Sequence, residues 1–298
     1  MRRPPHFMPP HFLPIMATVL GIALFSIMDA FMKRASIASG VYSALLLRSV
    51  LAGGTVALIW RARGGRVPAG PVLRLHALRG VVCAVMAASF FYGLVRTPMA
   101  QGMALSFIAP LIALYLAAVV LGEQIRREAI IAALFGLAGV IVIAADRIGG
   151  ATIEGEAAKG IAAVLASALL YAWNLVLQRQ QAQVASPWEV VTFQNLFVGL
   201  ALLPLAPLLW HMPDLGAVRD VAGGAALATG ALLLLSWAYA RAEAQVLVPI
   251  EYTAFFWAAL MGWLWFDEAV TPATLAGLAL ILIGCWIAAR GPRAAVAA

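Results

Sequence analysis

The sequence predicts an all-α integral membrane protein, with ten transmembrane helices arranged as two inverted five-helix repeats. Three observations carry that prediction. Of the 298 residues, 64% are hydrophobic and 11% charged, and the mean hydropathy of +0.95 lies far above soluble averages. Splitting the chain at Gly, Pro and charge clusters leaves ten apolar runs of about 17 to 24 residues, each able to cross about 30 Å of hydrocarbon. A shift of 145 residues lays the second half of the chain on the first.

The first run, 13–32, follows a tail, 1–12, with two arginines and four prolines but no small-residue cleavage signature. That tail reads as cytoplasmic and not as a signal peptide. The second run, 42–60, encloses Arg48, and the third, 75–95, ends in aromatic residues. In the fourth, 99–121, Gln101, Ser106 and Pro110 interrupt the apolar residues. The fifth, 129–145, sets Ala132, Gly136 and Gly139 on one face, where small side chains let helices approach closely. After the connection 146–159 come 160–177, 188–210 bounded by Trp188 and Trp210, and 221–239. The ninth, 245–266, contains Glu251, and the tenth, 272–289, carries Gly277 and Gly284 on one face. Helices five and ten are thus expected to be scaffold or dimer interface. The organisation expected is a cytoplasmic tail at 1–12, repeats at 13–146 and 159–290, and a cytoplasmic tail at 291–298.

Charge placement sets the orientation. With the N-terminus inside, 13 basic residues, Arg79 among them, fall inside, 6 fall outside, and Arg48 lies within a span. The positive-inside rule therefore favours two cytoplasmic termini in a bacterial inner membrane. The net charge of +7 does not point to nucleic acid, because the basic residues are scattered singly between apolar runs. Cys83 and Cys285 lie within apolar runs as structural thiols, with no CxxC and no partner His. No phosphate loop, metal-ligand cluster or Ser-His-Asp set is present in the sequence. Neither a cofactor, a metal nor an enzyme activity is expected.

Under the 145 shift, residues 23–34 (ALFSIMDAFMKR) meet 168–179 (ALLYAWNLVLQR), so Asp29 falls on Asn174, Lys33 on Gln178 and Arg34 on Arg179. Glu123 falls on Glu268, and a shift of 146 puts Arg48 on Gln194. Five helices per copy make the second copy enter the membrane from the opposite side. That is the inverted-repeat plan of secondary transporters, with the site at the midplane between the halves.

Glu251 is the residue that most demands an explanation. A lone carboxylate in hydrocarbon costs about 2.5 to 3.5 kcal/mol even on the lenient insertion scale, so something must face, hydrate or protonate it. Pro249 removes a backbone donor just before it, and Tyr252 and Thr253 follow with hydroxyls. Such a break is tolerated where it lines a cavity or is buried in protein. The alternatives are a pathway residue suited to proton coupling and a carboxylate paired with Arg48 or another buried cation. Asp29 and Lys33 share a helix face as either a self-neutralised pair near the helix end or a substrate and proton site. Arg48 reads more readily as an anchor than as a clamp, and Glu123 and Glu268 as helix caps. Phe90, Phe91, Tyr92, Phe107, Tyr171, Trp173, Trp237, Tyr239, Tyr252, Phe255, Phe256 and Trp257 gather in helices 3, 4, 6, 8 and 9, and several of them on a cavity would accept planar solutes.

Two stretches, 249–268 (PIEYTAFFWAALMGWLWFDE) and 104–123 (ALSFIAPLIALYLAAVVLGE), each close on an acid, in VVLGEQ at 119–124 and WLWFDEAVT at 263–271. With glycine-spaced scaffold helices following them, the chain resembles the EamA family of the drug/metabolite transporter superfamily over nearly its whole length. Ala132 stands where that family often has Gly. The resemblance implies movement of amino acids, including aromatic ones, and other small metabolites, often outward.

The reading is a secondary transporter of a small organic metabolite, foremost an aromatic amino acid and outward, working by alternating access as a monomer or homodimer in the lipid bilayer. The alternatives are uptake of a nucleoside-like or vitamin-like solute and a non-transport membrane scaffold. Glu251, Asp29, Asn174, Gln101 and Tyr252 supply the expected polar contacts, with Tyr92, Phe107, Trp173 and Trp237 as apolar walls. Glu251, Asp29 and Lys33 are the candidates for ion coupling.

Overall fold

The computed structural model describes residues 12–97, 99–106, 108–122, 125, 127–148, 155–267 and 272–290, and every regular element among them is a helix. In order these are α1 (Phe12–Ser39), α2 (Val41–Ala62), α3 (Gly70–Leu94), α4 (Met99–Ser106), α5 (Ile108–Leu121), α6 (Arg127–Ile148) and α7 (Gly155–Val184). They continue with α8 (Pro187–Leu202), a 3-10 turn at Leu203–Leu205, α9 (Ala206–Leu209), α10 (Leu215–Tyr239), α11 (Ala244–Leu247), a 3-10 segment at Val248–Thr253, α12 (Ala254–Phe266) and α13 (Pro272–Arg290). Residues 1–11 and 291–298, Phe107, Glu123, Glu268 and the side chain of Gln101 lie outside the described residues.

Among the described residues, six helices are long and apolar enough to cross a bilayer: Phe12–Ser39, Val41–Ala62, Gly70–Leu94, Ala158–Val184, Pro187–Leu209 and Leu215–Tyr239. The other stretches of the ten-run pattern are covered by α4, α5, α6, α12 and α13. Large apolar side chains such as Leu20, Leu58, Val119, Leu134, Leu282 and Trp286 are exposed, as lipid-facing residues are.

Local chemistry explains the element ends. Ser186 caps α8 by accepting from the Glu189 amide, with Pro187 at the first helical position. Asp214 caps α10 by accepting from the Ala217 amide at 2.7 Å. Gly122 and Asp267, one repeat length apart, follow α5 and α12 with φ of 68° and 52°. Both occupy the left-handed region that closes a helix, which glycine enters freely and aspartate tolerates.

The repeat is visible in the backbone: Leu215 lies 145 residues after Gly70, Ala244 after Met99, and Pro272 after Arg127. The closest packing runs across the halves. Helix α1 lies on α10 and α3 on α7, which are repeat-related crossings, while α2 meets α8 and α6 meets α13. Neither half therefore buries its own core alone. On α13, a Cβ at Gly284 would come 2.7 Å from the Ala132 carbonyl oxygen of α6, so the scaffold pair meets backbone to backbone. Near the end of α3, a Cβ at Gly93 would come 2.6 Å from the Gly160 carbonyl of α7. The small residues are where they are because the helices touch there.

Candidate functional site

Between these crossings lies a cavity of about 180 Å³. Four charged side chains from four elements line it: Asp29 of α1, Arg48 of α2, Arg79 of α3 and Glu251 of the 3-10 segment. Ser26, Ser106, Ser167, Tyr171, Asn174, Gln178, Gln194 and Asn195 add hydrogen-bonding groups. Phe25, Phe90, Phe91, Met28, Met86 and Met103 supply apolar wall.

Glu251 is 4% exposed. Pro249, second in its segment, cannot donate to the helix ladder, and the chain tightens to 3-10 geometry over Val248–Thr253. That turn presents the carboxylate to two phenols: Tyr171 of α7 donates to it at 2.5 Å and Tyr239 of α10 at 3.3 Å. The hydrogen-bond partners of the carboxylate among the described residues are tyrosines and not Arg48. Both phenols can also hold the protonated acid, so the site accommodates either charge state.

Asp29 and Asn174, matched by the repeat, both line the cavity, but their neighbours differ. Asp29 is 7% exposed and lies within electrostatic reach of Arg48. Lys33 turns away from it, donating to the Thr97 carbonyl at 3.1 Å and lying over the Phe266 ring at 4.9 Å. The four-residue spacing of Asp29 and Lys33 thus does not place both on the cavity.

Asn174 belongs to a buried polar chain that spacing in the sequence does not reveal. Arg79, 1% exposed, donates from Nε to Asn174 Oδ1 at 2.9 Å, from Nη1 to Gln181 at 2.6 Å and from Nη2 to Gln178 at 2.8 Å. Gln181 donates to His76 Nδ1 at 2.8 Å, and His76 Nε2 lies 3.2 Å from Glu189. With Nδ1 accepting, Nε2 carries the proton and donates to the carboxylate. Arg79 is therefore not one of the cytoplasmic charges among which the positive-inside count places it. It sits ten residues into α3, and the facing amides of α7, with α8's Glu189 beyond His76, draw it inside.

Other expected wall residues face elsewhere. Tyr92 lies beneath the Arg96 guanidinium at 3.6 Å and Trp237 beneath that of Arg241 at 4.3 Å. Each arginine also donates to the carbonyl of its own aromatic residue, at 2.9 Å and 3.1 Å. Both aromatic-then-arginine pairs are four residues apart and 145 residues from each other, a signal present in the sequence. Tyr252 is fully buried with its ring against Gly136 of α6. Trp173 is partly buried on α7 and does not line the cavity.

Arg48 does line it. Its Nη1 reaches only the Met28 sulfur at 3.5 Å, a weak acceptor, and its buried Nε has no partner among the described residues. Among those residues no group of three or more His, Cys, Asp or Glu side chains could hold a metal ion.

Comparison with known proteins gives this geometry its context. The EamA-like transporter family matches residues 12–145 and 158–290. The chain is 27% identical over 277 residues to the pseudopaline exporter CntI of Pseudomonas aeruginosa, covering 91% of this chain and 94% of that one. It is 27% identical to an uncharacterized transporter of Helicobacter pylori, over 69% and 70% of the two chains. An uncharacterized transporter of Archaeoglobus fulgidus is 30% identical over 68% of this chain and 72% of its own. A crystal structure of another protein shares the fold, with a TM-score of 0.73 at 21% identity, over 92% of this chain and 98% of that one.

Proposed function

This chain belongs to the EamA-like transporter family, and on that premise we propose that it is a secondary transporter of a small amphoteric metabolite, foremost an amino acid, working by alternating access. The observation that carries the reading is the cavity between the halves, which holds two acids and two guanidinium groups on an otherwise aromatic and methionine-rich wall. A solute with one charge would leave half of those groups unmatched; a zwitterion matches both. Phe25, Phe90, Phe91 and Tyr171 favour an aromatic side chain by stacking. Likeness to a protein named as an exporter supports the outward direction in this reading. Ten spans, inverted halves, an inner-membrane location and cytoplasmic termini complete the proposal. In it, the α3–α7 and α1–α10 crossings are the two gates.

The test is counterflow in liposomes, with a panel of labelled amino acids, nucleosides and vitamins at matched and mismatched pH. The expected result is saturable exchange of amino acids. Glu251→Gln keeps an oxygen acceptor for one of the two phenols and offers an amide N–H to the oxygen of the other, so the protein should stay folded while exchange falls about tenfold or more and loses its dependence on a pH difference. Exchange of nucleosides or vitamins alone would move the substrate assignment. Absence of any exchange by folded protein would favour the scaffold alternative.

A further inference from the structure

The two guanidinium groups on the cavity wall are in opposite states. Arg79 has all three nitrogen positions paired with amide oxygens of α7, as a structural anchor would. Arg48 has a thioether contact and an unpartnered buried Nε. Two further buried atoms on the same wall have no partner among the described residues: the Gln178 amide nitrogen and the Gln194 amide oxygen. Burying a polar atom unpaired is costly, and the cost is recovered when something entering the cavity pairs it. Arg48 and Gln194 are also repeat mates on the α2–α8 crossing, so this part of the wall sits where the two halves meet.

The open atoms have a definite chemistry. Arg48 Nε and Gln178 Nε2 are donors, whereas Gln194 Oε1 and the Asp29 carboxylate beside Arg48 are acceptors. We propose that Arg48, Gln178, Gln194 and Asp29 form a subsite for the joined carboxylate and ammonium groups of an amino acid. The carboxylate accepts from Arg48 and Gln178, and the ammonium donates to Gln194 and Asp29. A plain amine leaves the two donors unpaired, and an uncharged nucleoside leaves both charges unmatched. This assignment rests on the transporter reading and adds which part of the solute is recognised and by which residues. It also separates Arg48, which recognises solute, from Arg79, which holds α3 to α7.

The test uses the whole protein in liposomes and in detergent, with a panel of L-amino acids, the matching amino-acid amides, the matching decarboxylated amines, and nucleosides. At least one amino acid should exchange, with its amide and amine about tenfold weaker or worse. Arg48→Gln should remove that discrimination between acid and amide. Arg48→Met, which removes both the charge and Nε, serves the same purpose where Arg48→Gln does not fold. Gln194→Leu should weaken amino-acid affinity without lowering the Tm of the unliganded protein, because an unpaired polar atom is removed; a residue holding helices together would lower it. Full acid-over-amide discrimination in both Arg48 variants overturns the subsite, as does exchange of nucleosides without amino acids, and in either case transport itself stands. No exchange of any solute by folded wild-type protein overturns both readings.

Discussion

The α3–α7 and α1–α10 crossings are one piece of architecture built twice, with opposite chemistry. Where α3 meets α7, the Arg79 guanidinium is held by three amides and the chain of polar contacts runs on through His76 to Glu189. Under the 145 shift Arg79 becomes Gly224, Gln178 becomes Lys33 and His76 becomes Val221. At that second crossing a Cβ on Gly224 would sit 3.2 Å from the Met32 sulfur, and Gly21 meets Leu235. Among the described residues, a polar contact of this crossing lies at its end, where Arg34 makes a two-pronged ion pair with Asp220. Parting the first crossing exchanges protein hydrogen bonds for water, which is nearly balanced; parting the second wets methionine and leucine, which is not. The same backbone can therefore have two unequal barriers to parting, which under the proposed alternating-access cycle would make the two crossings unequal gates.

Breaking the polar crossing gives the largest expected effect. Arg79→Met keeps volume but leaves the Gln178 and Gln181 oxygens without their donor, each a loss of about 1 to 3 kcal/mol, and Asn174 with only the weak Cys83 thiol at 3.1 Å, so Tm in detergent should fall sharply and exchange should be abolished. A Tm close to wild type would mean that the amides re-pair among themselves and that the arginine is dispensable to packing.

Next in size is the steric difference between the crossings. In Gly93→Ala the new methyl meets the Gly160 backbone carbonyl, which cannot yield, and about 1 to 3 kcal/mol should be lost. In Gly21→Ala the nearest atom is the Leu235 side chain at 3.0 Å, which can rotate away, and the loss should be smaller. Thermal unfolding of the pair side by side reads the order, and its reversal would show the apolar crossing to be the tighter.

Met32→Leu, a near volume-conserving change at the apolar crossing, should cost less than about 1.5 kcal/mol and leave exchange measurable. A complete loss of transport would mean that the flexible sulfur takes part in opening.

The smallest effect is expected at the α3 end of the polar crossing, where exposed Glu156 accepts from Lys159 at 2.7 Å and Arg96 at 3.0 Å. The Lys159 hydrogen bond first, and the Arg96 one second, hold its carboxyl below the usual carboxylate range. A lowered value makes any stabilisation present at neutral pH and lost as pH falls through that value. Solvent screens the group, so Glu156→Gln should leave the neutral-pH Tm unchanged, and a clear drop would place part of the crossing's strength at its surface.

Part of the cavity is legible from the amino-acid sequence, as Glu251, Asp29 and Asn174 show, while Tyr92, Tyr252, Trp173 and Trp237 lie off it. A carboxylate beside a proline in an apolar run has few places to go, and the repeat carries Asp29 onto Asn174 without coordinates. Arg79 is not legible in this way, because a basic residue early in a span looks the same in sequence whether it faces headgroups or three amides. Tyr92 and Trp237 mislead for the converse reason: aromatic residues suit a cavity wall and an arginine equally well, and only the Arg four residues on tells the two apart.

By itself the sequence determined the membrane class, the helix stretches, the repeat length and the carboxylate that needed a partner, since hydrophobic length and periodicity act locally along the chain. Only the tertiary structure decided which charges meet, because helices from different halves cross there and partners 80 to 113 residues apart, such as Tyr171 with Glu251 or His76 with Glu189, are set by packing and not by spacing.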